Sequence, residues 1–477
     1  MLSTLLRDSR ALAALAVPLI LTQLAQVALT TTDTVMMGLL GTEELAAGGL
    51  AIVVFNQLRT MGVGLITSVG NRVAAAAARA EQTAERAVER AADRAVDPSP
   101  REAAEDEIRG TVRASMAVAT GAGLAGAVLM VLIGQVLTLL GQDAAVAERT
   151  QSMLAALAPG LLPCLWFQAV RQFTVGMRRP QALLQITIAS VAVNAGLNWV
   201  LIHGTWGLPR LGLTGVGVAT STVYLLTFLA LYAAARRDEE LAPLLSLNPA
   251  KADPATVKRL IGLGVPIAAT YGSEAGFFSL TALMAGSFGP DALAAHTAVN
   301  QLVYIVFQVA VGLSHAASIN VSRELALGRR DNARRIKNTA LACAAAVMAA
   351  VAVGYLTLPR LILAPFLDGS SGRALTIATH LLIVTAFLQF FDCAQNIGVG
   401  LLRGLDDTKS GFRITLIGYW AVGLPASWAL AFPAGLETLG VWLGLLGGLA
   451  TTAALLLRRY TTALDQHVTG EATTAPA

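Results

Sequence analysis

Three carboxylates stand in this chain where a carboxylate is costly. Glu274 lies about halfway along the near-continuous apolar run from Pro266 to Gly289, Asp392 lies in a second such run that ends at Arg403, and Asp33 lies toward the end of a third. Holding an ionised group at the centre of hydrocarbon costs at least ~2.5 kcal/mol, so acids there face a cavity, a partner or an ion. Two unit charges ~4 Å apart repel by ~4 kcal/mol at an effective dielectric of ~20. If Glu274 and Asp392 face one another, they must therefore bind a cation or a proton. The structural alternatives are a protonated Glu274 bonded to a neighbouring helix, and an Asp33 that caps the chain before the Gly41 turn.

Each acid has polar company at helical spacing. Thr270, Tyr271, Glu274 and Phe278 share one face, and Thr22, Gln26, Thr30 and Asp33 share another. Gln389, Asp392, Gln395 and Asn396 form a third seam, and Thr187, Ser190, Asn194 and Asn198 a fourth without an acid. Asparagines also join helices inside membranes, so Asn194 and Asn198 fit interhelical bonding as well as substrate contact. Arg59 is expected to pair with Asp33 or to extend outward, and Arg171 to reach the membrane edge.

The elements that carry these seams follow from composition. The chain has 477 residues, 55% hydrophobic and 13% charged, with a mean hydropathy of +0.63, which describes an all-α integral membrane protein rather than a soluble one. A pI near 9.1 does not imply nucleic acid, because the basic residues flank apolar runs. Cys164, Cys343 and Cys393 fall inside apolar segments at spacings that fit no metal motif or disulfide framework. A helix needs ~20 apolar residues to span a bilayer. Runs of that length predict twelve transmembrane helices, at 11–39, 45–74, 112–140, 153–177, 182–203, 213–235, 257–287, 292–320, 336–364, 375–402, 410–433 and 436–458.

The halves repeat. At one fixed offset Pro18, Thr22, Gln26, Gly38 and Gly41 recur as Pro266, Thr270, Glu274, Gly286 and Gly289. This predicts two homologous six-helix bundles around a central cleft: an N-terminal lobe at 1–237 with a charged insert at about 75–113, a linker at 238–256, a C-terminal lobe at 257–460 and a disordered tail at 461–477. Of the 34 Lys and Arg, one set of loops holds only Arg149, Arg210, Arg360 and Arg373, while Arg59 and Arg171 lie within helices. The bias places both termini in the cytoplasm.

At this point the pattern resembles the multidrug and toxic compound extrusion (MATE) family, especially its bacterial sodium-linked, norfloxacin-exporter-like branch. The residues behind the resemblance are TDTVMMG around Asp33, the Glu274 stretch followed by LAAHTAVNQ, RRPQALLQI leading to NAGLNWVLIHG, and FFDCAQNIGVGLLRGLDDTKSG around Asp392. It covers about Leu12 to Arg459. The resemblance implies an antiporter of the bacterial cytoplasmic membrane that exports amphipathic and cationic drugs in exchange for Na⁺ or H⁺, acting as a monomer without a cofactor or nucleic acid. It further implies that Glu274 and Asp392 are the cation-site carboxylates, holding Na⁺ if sodium is the coupling ion, and that Asp33 handles substrate or protons. Asn194 and Asn198 look like the polar fifth-helix positions, and Asn300 matches an eighth-helix asparagine. One departure is Leu388, where some sodium-linked members carry tyrosine.

Two other readings compete. A lipid-linked oligosaccharide flippase of the same superfamily needs basic cavity residues, and the spans offer Arg59 and Arg171. A membrane prenyl transferase needs spaced acids for a diphosphate-bound metal, and Asp406 with Asp407 gives only one pair.

Overall fold

The computed structural model describes residues 2–90, 99–137, 144–207, 209–367 and 372–472, and no strand occurs among them. The first part of the chain forms α1 (Leu2–Gly38), α2 (Thr42–Ile66), α3 (Ser68–Arg90), α4 (Ser99–Val136), α5 (Ala144–Gly176), α6 (Gln181–His203) and α7 (Leu213–Arg237). The second forms α8 (Pro254–Gly286), α9 (Pro290–Ala326), α10 (Arg330–Thr357), α11 (Pro359–Leu363), α12 (Gly372–Gly404), α13 (Thr408–Leu416), α14 (Leu424–Ala431) and α15 (Glu437–Ala472).

Helix is the solution hydrocarbon imposes, because each backbone N–H and C=O must find its partner within the segment. Among the described residues eleven helical segments are long and apolar enough to cross a membrane. The twelfth expected span is α8, whose 33 residues suffice in length but whose Thr270, Tyr271, Ser273 and Glu274 dilute its apolar character. Large apolar side chains point outward along these helices, among them Val53, Val128, Leu229 and Leu283. In water that surface would aggregate; in lipid it is the expected exterior.

The repeat is visible in the backbone. Gly41 (φ 139°) precedes α2 and Gly289 (φ 105°) precedes α9, so each half turns its first helix hairpin on a glycine in a region that L side chains avoid. Arg178 after α5 and Asp406 after α12 both sit at φ 59°.

The chain divides into two compact units whose boundaries fall inside α1 and α8: Leu21–Ala268, and Met1–Ile20 together with Ala269–Ala477. The 238–256 stretch, expected as a linker, is bonded into the first of these. Arg109 Nε donates to Pro243 O at 3.0 Å and Arg113 Nε to Ser246 Oγ at 2.6 Å. The start of the expected tail is also structured. α15 continues to Ala472, with Ala463 and Leu464 buried and Arg334 paired with Asp465. In the charged insert α3 runs to Arg90 and is tied to α4 through Arg79 and Glu107 at 2.5 Å. Residues 91–98 of that insert lie outside the described residues.

Three breaks were not read from the sequence, the first at Thr67, which divides the expected 45–74 helix into α2 and α3. The expected 336–364 helix stops at Thr357, because Leu358 precedes a proline and is driven out of the helical region, to φ −127°. The expected 410–433 helix contains a π-helical stretch, Ile417–Gly423, between α13 and α14.

Candidate functional site

In the unit containing Ala269–Ala477, Glu274 comes from α8, Asp392 from α12 and Tyr419 from the π-helical stretch. π-Helical turns are rare and recur at functional sites. Here the stretch lies against α15 so closely that a Cβ on Gly418 would sit 1.8 Å from Thr452 Oγ1. The Tyr419 ring stacks on Phe277, with centroids 4.8 Å apart and planes 6° apart. Its hydroxyl donates to Glu274 Oε1 at 3.2 Å and accepts from Gln395 Nε2. The next residue, Trp420, donates from Nε1 to Ser273 Oγ at 2.7 Å, so two consecutive side chains grip the polar face of α8.

Gln395 and Asn396 lie one turn beyond Asp392 on α12. Asn396 Nδ2 donates to the Asp392 backbone oxygen at 2.9 Å and to its Oδ1 at 3.2 Å. Asp392 is 2% exposed. A chain of polar groups thus runs from Glu274 through Tyr419 to Gln395 beside Asp392. Gln395 Oε1 is buried without a donor. These oxygens are the ligand type that alkali and alkaline-earth cations take.

A pocket of about 20 Å³ opens beside this chain. Tyr271, Glu274, Gln395 and Asn396, all expected from sequence, line it, and so do Tyr419 and Arg403, which were not. The other expected cavity residues of this unit lie elsewhere. Asp392 and Gln389 are buried on α12 off the pocket wall. Phe278 packs edge-on to Phe277 against the apolar core. Asn300 is half-buried on α9, eleven residues or about 16 Å of rise before the nearest pocket-lining residue of that helix, Val311.

The unit Leu21–Ala268 holds its acid differently. Asn194 and Asn198, one turn apart on α6, each donate from Nδ2 to Asp33 Oδ1 at 2.7 Å, and Thr220 of α7 donates to Oδ2 at 2.9 Å. Asn194 Oδ1 and Asn198 Oδ1 are buried with no partner, which leaves two amide oxygens beside a carboxylate. Gln26 and Thr30 are half-buried on the same face of α1, with the Thr30 hydroxyl bonded back to Gln26 O at 3.2 Å. Thr187 and Ser190 likewise bond backbone carbonyls of their own helix.

The basic residues correct the sequence reading. Arg59 donates to Asn56 Oδ1 at 3.3 Å, while the hydrogen bonds to Asp33 come from α6 and α7. Arg171 does not extend to the membrane edge. It is 4% exposed and donates to Gln168 and Gln23 at 3.1 and 3.3 Å, because a buried guanidinium needs acceptors nearby. Asp407 is engaged structurally, accepting from Ser410 N at the start of α13 and from Arg459 at 2.8 Å. That removes the acid pair on which the prenyl transferase reading depended. Among the described residues no three His, Cys, Asp or Glu side chains gather as a metal cluster.

Thr220, Tyr419 and Arg403 are the site residues that sequence reasoning missed. Thr220 opens a Thr-Ser-Thr run inside an otherwise apolar helix, and Tyr419 is a phenol within an apolar run. Either would have been found by asking which hydroxyls lie far from a helix end.

Comparison with known proteins bears on the whole chain. The MatE family profile matches residues 18–92, 103–200 and 266–429. A Bradyrhizobium diazoefficiens protein named "Probable multidrug resistance protein NorM" is 37% identical over 464 residues, covering 94% of this chain and 91% of that one. A protein of the same name from Pseudomonas aeruginosa is 34% identical over 471 residues, covering 95% and 89%. Among solved structures, the Vibrio cholerae MATE transporter VcmN in its bent form superposes with a TM-score of 0.81 at 14% identity, covering 97% of this chain and 98% of that one. An outward-facing multidrug resistance MATE family transporter superposes with a TM-score of 0.82 at 16% identity, covering 97% and 98%.

Proposed function

The chain belongs to the MatE family, and on that footing we propose that it exports amphipathic, often cationic compounds across a bacterial cytoplasmic membrane in exchange for Na⁺ or H⁺. The observation that carries this reading is the polar chain Glu274–Tyr419–Gln395 beside Asp392, enclosed by long apolar helices and open to a pocket. The names of the NorM relatives support the substrate class, and the basic bias of the loops supports cytoplasmic termini.

Coupling follows from competition. With neither cation nor proton bound, Glu274 presents negative charge to the pocket and Asp392 adds to it from behind the wall, and the cationic head of an exported molecule gains from that charge and from the aromatic rings of Tyr271 and Tyr419. Filling the acids with Na⁺ or H⁺ removes that attraction, so the two guests are held alternately. A guest biases one conformation only by its differential affinity, and a swing from 1:99 to 99:1 needs about 5.5 kcal/mol. Of the oxygens that would receive Na⁺, Gln395 Oε1 lacks a donor and the two carboxylates have few, which fits a small cation. Asp33 with its two unpartnered amide oxygens is the second candidate for ion handling.

The test is uptake of a permanently charged dye into inverted vesicles under an imposed sodium gradient, then a pH gradient. Uptake driven by either supports antiport and identifies the ion. Uptake driven by neither, or translocation of a pyrophosphate-linked lipid instead, would overturn it.

A further inference from the structure

We propose that Arg403 makes the pocket an anion receptor as well as a cation site: its guanidinium takes a compact monovalent anion, either a carboxylate carried by the exported molecule or free chloride. The proposal deepens the antiporter reading and rests on it for the transported carboxylate, though not for anion binding itself.

Arg403 is 3% exposed and lines the pocket, and its Nε is buried with no partner. Among the described residues it makes no ion pair and no side-chain hydrogen bond. The nearest acid after it with a described ion pair, Asp407, is held by Arg459 and by the start of α13. Arg171, the buried guanidinium of the other unit, is by contrast bonded to two glutamine oxygens. Arg171 is thus supplied with acceptors at both of its terminal nitrogens. At Arg403 the chain supplies a cavity.

The backbone that carries Arg403 is held against α9. A Cβ on Gly400 would lie 2.4 Å from Ser314 Oγ, and Ser322 Oγ donates to Gly404 O at 3.1 Å. The receptor is therefore pre-positioned rather than a loose surface arginine. Gln395, which marks the acidic end of the pocket, is eight residues earlier on α12, about 12 Å of helix rise. The pocket is thus negative at one end and positive at the other. The guanidinium fork matches carboxylate geometry, and about 20 Å³ admits one monatomic ion or the head of a carboxylate but not a whole drug.

The experiment uses the full chain in proteoliposomes with two probes, 4-(4,4-dimethylpiperazinium)benzoate and its methyl ester. Both carry a permanent quaternary ammonium, and the first adds a carboxylate that the ester masks. Export of each is measured in chloride and in gluconate, for wild type, Arg403→Gln and Arg403→Lys. If the substrate supplies the anion, the acid-to-ester export ratio falls about tenfold in Arg403→Gln, equivalent to ~1.4 kcal/mol, and Arg403→Lys recovers part of it. If chloride is the source, ester export by wild type falls in gluconate and that dependence disappears in Arg403→Gln. Neither effect in wild type, or either effect persisting in Arg403→Gln, overturns the proposal. Should wild type export neither probe under any ion gradient, or the variants fail to insert, anomalous diffraction from wild-type crystals soaked in bromide and in 4-bromobenzoate decides. A peak at the Arg403 guanidinium supports the receptor, and no peak from either soak refutes it independently of transport.

Discussion

The two units descend from one repeated plan yet treat their acids in opposite ways. In Leu21–Ala268 a single carboxylate, Asp33, accepts three hydrogen bonds at 2.7–2.9 Å from Asn194, Asn198 and Thr220. In the unit with Ala269–Ala477 two carboxylates flank one chain of polar groups, and the shortest side-chain hydrogen bonds to them are 3.2 Å long, from Tyr419 and Asn396. A carboxylate with saturated acceptors is stabilised where it stands, whereas two under-bonded ones near each other retain a demand for positive charge. A similar contrast holds for the buried guanidinium, bonded to two glutamine oxygens in one unit and facing a cavity in the other. An ion pair even recurs with reversed polarity after the equivalent turns: Arg179 pairs with Asp238, and Asp407 pairs with Arg459, both at 2.8 Å. Repetition preserved the helical frame while the chemistry diverged.

The hardest test of that contrast is transport by Glu274→Gln and Asp392→Asn. Each is expected to reduce ion-driven export at least tenfold while the protein still inserts, measured as gradient-driven dye uptake. Full activity in both variants would remove the acids from the coupling site. Next comes stability. Asp33→Asn takes the charge from a carboxylate with three donors and should cost about 2–3 kcal/mol, whereas Glu274→Gln should cost under about 1 kcal/mol. Thermal unfolding in detergent compares them, and the reverse order would mean Asp33 is the strained acid. Gly418→Ala forces a methyl group onto Thr452 beside the π-helical stretch, with an expected loss of about 1–3 kcal/mol and weakened coupling as Tyr419 shifts. Tyr419→Phe keeps the ring stack and removes one hydroxyl, so stability should fall by about 1 kcal/mol while the ion dependence of export moves. Coupling that moves with Gly418→Ala but not with Tyr419→Phe would assign the effect to packing.

The smallest effect lies at the ion pairs. Burial works to raise the Asp238 carboxyl, but the Arg179 guanidinium and the backbone N–H groups of Leu241 and Glu240 together outweigh it and hold the carboxyl below its ordinary value. Its folded value is lowered, so the stabilisation is present above the ordinary carboxylate range and is lost as pH falls through the folded value. Arg179→Gln should cost about 0.5 kcal/mol at neutral pH, less in high salt, and nothing at strongly acidic pH.

Much of the frame was legible because hydrocarbon reduces the choices. Apolar runs long enough to span have to be helical, and the offset that lays Pro18 on Pro266 and Gly41 on Gly289 predicted the paired hairpins that the backbone shows. Helix ends were harder. Pro359 and the π-helical stretch interrupt runs that hydropathy reads as continuous, since mean apolarity carries no information about where a turn widens or stops. The 238–256 stretch was read as a linker and the residues past 460 as disordered, yet Ser246 is bonded to Arg113 and Asp465 is paired with Arg334, both distant in sequence.

By itself the sequence determined that this is a helical membrane protein built twice over, with Glu274, Asp392 and Asp33 kept in apolar surroundings, because composition and periodicity are properties of each segment alone. Which acid would be saturated and which left wanting was decided by tertiary structure. It depends on Thr220, Tyr419 and Asn194 arriving from other helices at hydrogen-bond distance. Arg403 makes the same point in reverse. Its type and place were plain in the chain, but only packing shows that no side chain among the described residues came to meet it.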